Sequence, residues 1–492
     1  GALGANTSGA DNAAVGGNAL AANTTASGNS AFGSAALYTN TTGANNTAVG
    51  WEALKLSTTG SSNTAVGKNA LAANTTASEN TAIGYNSLDA NTTGARNTSV
   101  GNATLSASTT ANDNVAVGNA SMNLNTSGIQ NTAVGSYSLD AATTAGNNTA
   151  IGYAALTETT TGTRNTVMGS LAADANTTGD DNVAVGYAAL TENTTGIQHT
   201  AVGNYALDEN TTGSYNSAFG FSALGTNTTG TYNAAFARYA LRYNTTGAQN
   251  TGLGQGALAA NTTASNNTAV GYLSLTANTT GAGSAALGHS ALLGNTTGTY
   301  NVAVGYYAGS NITTGSNNVA IGRLAGGGIE AVSGCIAIGY NALSSNSGGT
   351  GSGNENISIG DSSMLYMEGT KNIAVGSDAL YTATTADSNV AIGHQALYSN
   401  TTANNNTAVG YAALQANTTA GNQTACGRLA LNSNTTGYEN TAVGALALED
   451  NTTGGSCVAV GVNALSSNTT ATENTAVGHQ SLYANTTGIH NT

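Results

Sequence analysis

The sequence predicts an all-β fold: a β-solenoid of the β-roll type with 17-residue turns and about 28 rungs. Three observations predict it. Glycine recurs every 17 residues from Gly16 to Gly339, broken only at Ala237, and again from Gly376 to Gly478. A short strand-like phrase, "NTAVG", precedes it. A leucine follows four residues later, as at Leu20, Leu54, Leu190 and Leu414. A fixed period of this size marks repeats that stack on their neighbours and cannot stand alone.

Each element of the turn follows from residue type. Helix is excluded because the recurrent Gly, with Thr and Val dense between, leaves no window of the length a stable helix wants. In "NTAVG" the Thr and the Val share one face by the period of two, so Val is expected to point inward, as Val49 and Val409. The residue between them is Ala, Ser or Gly except at Val167. It either fits a cramped core or lets another backbone approach closely. Leu54 and Leu414 are the expected core of a second strand. The Leu fails at Ala173, Gly309 and Gly326, where Leu171, Tyr307 and Leu324 stand two positions earlier, as extended chain would allow. Asn stands four residues before the Gly in 23 of 28 units, which predicts an amide ladder along a corner built on Asn46 and Gly50, or Asn406 and Gly410. At about 4.8 Å per rung the expected rod is roughly 130 Å long.

Composition is uniform along the chain and argues for one continuous solenoid rather than several domains. Regular repeats are expected over 1–322 and 376–492, with irregular repeats and an insertion over 323–375. There "NSGGTGSGNEN" lengthens a corner and "SSMLYMEGT" gathers Met364, Tyr366 and Met367, and the segment reads as an insertion tolerated at a corner. The opening "GALGANTSGA" is no signal peptide, and the chain starts and stops in mid-repeat, as a mature product or a fragment of a longer array would. No apolar run is long enough to span a bilayer.

Charged residues are 7% of the chain, proline is absent, and the net charge is −14 with only nine Lys and Arg. That excludes a nucleic-acid partner, which needs a basic patch. His199, His289, His394, His479 and His490 are scattered, and Cys335 and Cys457 lie about 34 Å apart on the rung spacing, beyond disulfide reach. Asp and Glu sit in corners without a calcium-roll spacing, and "GGTGSG" lacks the Lys of a phosphate loop. The sequence calls for no catalytic residue, cofactor or metal.

Surface chemistry is what remains. "NTT" at Asn40, Asn74, Asn193 and Asn400 is formally a glycosylation sequon, open unless those side chains turn inward in a ladder. Regular Thr columns suit an ice-binding face. The slot after Gly (Trp51, Lys68, Tyr85, Asn102, His289, Arg323) faces solvent, and its frequent Tyr offers adhesive contacts.

Through "NTAVGYAAL", "NVAIGRLAG" and "NISIGDSSM" the chain resembles the YadA-like head repeats of trimeric autotransporter adhesins, and is similar to repeats of phage tail fibres. The resemblance covers essentially the whole chain. It implies a left-handed β-roll, three chains side by side, and a role as an extracellular adhesive or spacer fibre at a cell surface or on a virion. Partners would then be further copies, as a homotrimer or filament, with surface glycans or host-cell receptors. The unit departs from the family in its length, "ANTTG" enlarging one corner, and in lacking a neck, stalk and anchor.

Overall fold

In the computed structural model, residues 1–344 and 353–492 are described; most of the "NSGGTGSGNEN" insertion and the "GGTGSG" phrase lie outside them. Among the described residues the chain forms 28 strands of three residues, from Ala13–Val15 to Thr475–Val477, and no helix. Neighbouring strands are parallel and offset by one repeat, so Thr47, Ala48 and Val49 lie against Thr64, Ala65 and Val66. The result is a parallel β-solenoid. By internal contacts it divides into two compact units, Gly1–Ala248 and Gln249–Thr492, with strands Ala13–Val15 through Ala234–Phe236 in the first and Thr251–Leu253 through Thr475–Val477 in the second.

The strand faces the opposite way from the sequence expectation. Ala48 is fully buried, while Val49 is 37% exposed and Val409 is only half-buried. Alternation tells that Thr and Val share a face, but not which face is inside. Here the turn closes so tightly that a small side chain, most often the methyl of Ala, lies beneath the strand. The small-residue column is therefore core, and Val, Ile, Phe or Leu looks outward.

No second strand forms. After Gly50 the chain makes two consecutive turns, closed by Ala53 N–H donating to Gly50 O (3.4 Å) and Ser57 N–H donating to Leu54 O (3.3 Å). Glu52 and Leu54 take left-handed φ of 58° and 52°, and Leu repeats this at Leu37, Leu71, Leu88 and onward. A left-handed Leu costs about 1 kcal/mol. The conformation lets two successive side chains, Ala53 and Leu54, both point inward and be fully buried, which a strand forbids. Leu54 N–H donates to Ala70 O of the next rung and Glu52 N–H to Ser34 O of the previous one, so these turns stack as strands would. Leu414 is likewise fully buried.

One large side chain fills the core of most rungs, and the places where the turn Leu is missing are matched within the rung. Gly309 and Gly326 lie against Ile312 and Ile329, whose Cδ1 atoms would be 3.0 and 3.2 Å from a Cβ added at those glycines. The rung of Ala173 is the one that carries Val167 in place of Ala, and both are fully buried. The residues two positions earlier, Leu171, Tyr307 and Leu324, remain half-exposed and compensate nothing. Polar core substitutions are paired too: Ser87 with Ser99 at 2.7 Å, Ser121 with Ser138 at 2.9 Å, and Ser358 with Ser363 at 2.6 Å.

The volume match has a consequence for mutants. Ala173→Leu alone should overpack its rung and lower stability by about 1–3 kcal/mol. Val167→Ala together with Ala173→Leu restores the common rung, so denaturant melts should return to the parent midpoint in the double variant.

Candidate functional site

The repeated polar residues are structural. Asn46 is fully buried; its Oδ1 accepts from Asn63 N–H (2.9 Å) in the next rung, and its Nδ2 donates to Gly60 O (2.8 Å) in its own. Asn406 does the same for Gln423 N–H (2.9 Å) and Ala420 O (3.0 Å). The corner Asn thus joins two rungs and closes one. Gly50 (φ 136°) and Gly410 (φ 139°) face the carbonyls of Gly67 and Gly427; a Cβ at Gly50 would come within 2.5 Å of the Gly67 oxygen. Glycine meets both demands without strain, and Ala237, at φ 119°, is the exception in this column.

The sequon asparagines form a second ladder. Asn40, Asn74, Asn193 and Asn400 are fully buried. Their Nδ2 groups donate to Gly43 O (2.9 Å), Ala77 O (3.0 Å), Gly196 O (3.0 Å) and Ala403 O (3.1 Å), and Asn40 also reaches Asn23 Oδ1 (3.0 Å). The nitrogen a glycan would need is inside and engaged, so the folded chain offers no glycosylation site at these four positions. The first Thr of "NTT" also serves the stack: Thr41 Oγ1 donates to Thr58 O (3.0 Å). The second Thr, as Thr42 and Thr76, is exposed.

His199 shows how strictly the corner is specified. It replaces the corner Asn and is buried, with Nε2 at 2.7 Å from Gly213 O and Nδ1 accepting from Asn216 N–H (3.3 Å). A neutral ring protonated on Nε2 reproduces both functions of the amide. Burial lowers its pKa to about 4. Cys335 and Cys457 stand in the same slot, buried and unpaired, with burial pushing their thiols up. Among the described residues no three His, Cys, Asp or Glu side chains are placed to hold a metal ion.

Met364 and Met367 are buried in the positions of the turn Leu and the second Asn, so they belong to the core; Tyr366 is exposed. No helix among the described residues is long and apolar enough to cross a membrane.

Outward columns carry what chemistry remains. On the sheet face, Val, Ile, Phe, Met or Leu points outward rung after rung, exposed at Phe32, Val49, Ile83, Val134 and Met168 and half-buried at Val66, Val100 and Val185, and Phe219 stacks on Phe236 at 4.9 Å. The slot after Gly is solvent-facing, as expected. There Lys68 Nζ sits 4.9 Å from the Trp51 ring and 5.7 Å from Tyr85, and His289 lies between Tyr272 (5.0 Å) and Tyr306 (5.2 Å). Arg96–Asp113 and Arg164–Asp181 pair across one rung at 2.6 Å. Sequence reasoning missed that the apolar sheet column is a surface. The signal was there in Val167, whose bulk inside the rung coincides with loss of the Leu.

No protein-family model matches the chain, and the comparison with curated proteins finds no match.

Two outcomes follow from the ladders. Asn40 Oδ1 and Asn91 Oδ1 are buried without a donor because the next rungs carry Ser57 and Ser108. Ser57→Asn should supply the missing Nδ2 and raise stability by about 1–2 kcal/mol, read as a higher thermal midpoint. His199 is protonated more readily unfolded than folded, so its contribution is intact above pH 6.5, falls as pH drops below that, and is lost by about pH 4. The loss amounts to about 3 kcal/mol, and His199→Asn should remove that part of the pH dependence of denaturant midpoints.

Proposed function

We propose that the chain is a non-enzymatic structural repeat of an extracellular fibre, a left-handed β-roll whose sheet face packs against copies of itself in a side-by-side homotrimer. The observation that carries the reading is the outward column of Val, Ile, Phe, Met and Leu beside a column of Thr, in register over successive rungs. Contiguous exposed apolar surface marks an interaction site. Burying even about 30 Å² of it per rung at ~25 cal/mol/Å² contributes about 0.7 kcal/mol. Over fourteen rungs that reaches the order of 10 kcal/mol before the entropic cost of association. A lateral partner also answers the thin core, one large side chain in most rungs. The likeness of "NTAVGYAAL" to YadA-like head repeats, and to those of phage tail fibres, supports three-fold packing and a place at a cell surface or on a virion. The adhesive role rests on the solvent-facing aromatic slots, with surface glycans or host-cell receptors as partners.

A second reading, ice binding, is favoured by the exposed Thr of "NTT" and by the outward Thr beside Val on a flat strand. Thermal hysteresis in the full chain supports this second reading; its absence removes it.

Sedimentation equilibrium tests the first. The full chain should run at three times the monomer mass. Val134→Lys, Ile321→Lys and Val443→Lys together should give a folded monomer with unchanged circular dichroism, since these side chains point outward. A monomeric parent chain overturns the packing proposal.

A further inference from the structure

One stretch of the outer surface differs from the other rungs. In the rungs of Gly203, Gly220 and Ala237 a hollow of about 330 Å³ opens, lined by Tyr205, Asp208, Phe221, Gly225, Tyr239 and Arg242 among others. Its origin lies in one column. The fifth residue after the repeat glycine is Asp208 in the first rung, Gly225 in the second and Arg242 in the third. Elsewhere that column carries side chains such as Lys55, Thr191 and Leu293, and its other glycine, Gly327, differs in that a Cβ there would come within 2.9 Å of the Ser344 carbonyl oxygen. Gly225 is not demanded by the backbone: its φ is not left-handed, and a Cβ there would come no closer than 3.3 Å to any atom. What the glycine does is leave the middle of the column empty.

The empty position keeps two charges apart. Opposite charges one rung apart pair closely on this surface, as Arg96–Asp113 and Arg164–Asp181 do. Asp208 and Arg242 are two rungs apart, and among the described residues neither they nor Glu209 enters an ion pair. Arg242 is held in place from the side, its guanidinium 4.5 Å from the Tyr239 ring and 4.9 Å from Tyr243. The aromatic wall is continuous: Tyr187, Tyr205, Phe221 and Tyr239 meet edge to face at 5.4, 5.8 and 5.6 Å. Tyr205 and Phe221 remain exposed toward solvent.

We propose that this hollow is a saccharide-binding site for one or two neutral pyranose units. The carboxylates of Asp208 and Glu209 accept hydrogen bonds from hydroxyls at one end, and the guanidinium of Arg242 donates at the other. The exposed ring of Tyr205 stacks on the apolar C–H face of the sugar, and Phe221, set nearly perpendicular to it, bounds the sugar's edge. A neutral polyol uses donors and acceptors of both signs without bringing a charge of its own. An anionic sugar would meet Asp208 and Glu209 on a chain of net charge −14. The inference deepens the adhesive part of the proposed function and rests on it, but not on the trimer.

The full chain is tested on an array of neutral and sialylated oligosaccharides, with native mass measured in parallel. Neutral hexose- or N-acetylhexosamine-ended glycans should bind. Gly225→Leu, which fills the hollow with a side chain the column already accommodates, should weaken binding at least tenfold with the thermal midpoint unchanged. Arg242→Gln should do the same. Binding of sialylated glycans alone, no glycan binding, or binding indifferent to Gly225→Leu overturns the site. A trimer that binds no sugar leaves the packing proposal standing, and a monomer that binds sugar does the reverse.

Discussion

The corner asparagine is the contact on which the repeat depends. A parallel stack of rungs needs each turn to begin at the same height, and strands of three residues are too short to impose that by themselves. The buried amide does it with one acceptor reaching the next rung's N–H and one donor closing its own turn. A buried amide left unmatched costs about 1–3 kcal/mol, so any slip of register is penalised at every rung at once. His199 keeps the geometry because a neutral imidazole has one donor and one acceptor. Gln423 keeps it by donating to the Gly437 carbonyl and receiving Asn440 N–H.

Once register is set, cross-section becomes the limiting quantity. Most rungs hold one large apolar side chain, supplied by the turn Leu, by Ile312 or Ile329 beside a glycine, or by Val167 beside Ala173, while one rung buries both Met364 and Met367. The left-handed conformation at Leu is tolerated because it turns Ala53 and Leu54 inward together. That single device removes the need for a second strand and leaves the strand free to turn its larger residues outward. A fold with so little apolar volume holds together through hydrogen bonds repeated along the stack, in which the threonines and both asparagine ladders take part.

Much of this was legible. The period, the place of the strand and the corner amide follow from the spacing of Asn46 and Gly50 and from what those residue types can do. The facing of the strand was not legible, because Thr-Ala-Val has the same alternation with either face inside, and size alone misassigned Val49 and Val409. The second strand was misread because leucine has no preference for left-handed φ; stacking imposes it. The compensation at Ala173, Gly309 and Gly326 was real, but its partners were three residues later or six earlier, reachable only around a turn. The sequons were ambiguous because an asparagine in a buried ladder and one on a surface loop share the same three letters.

The division between fixed interior and free exterior bears on where function can arise. Inside, every column is constrained by its copies above and below, so most inward positions repeat one residue type from rung to rung. Outside, neighbours in space are residues 17 apart, and chemistry is written along columns rather than within a rung. Arg96 with Asp113, or Lys68 between Trp51 and Tyr85, are such column contacts, and each is satisfied by its own neighbours. A site open to another molecule needs a column that is interrupted. Asp208, Gly225 and Arg242 form an interrupted column of this kind, in which one missing side chain separates charges that adjacent rungs would have brought together.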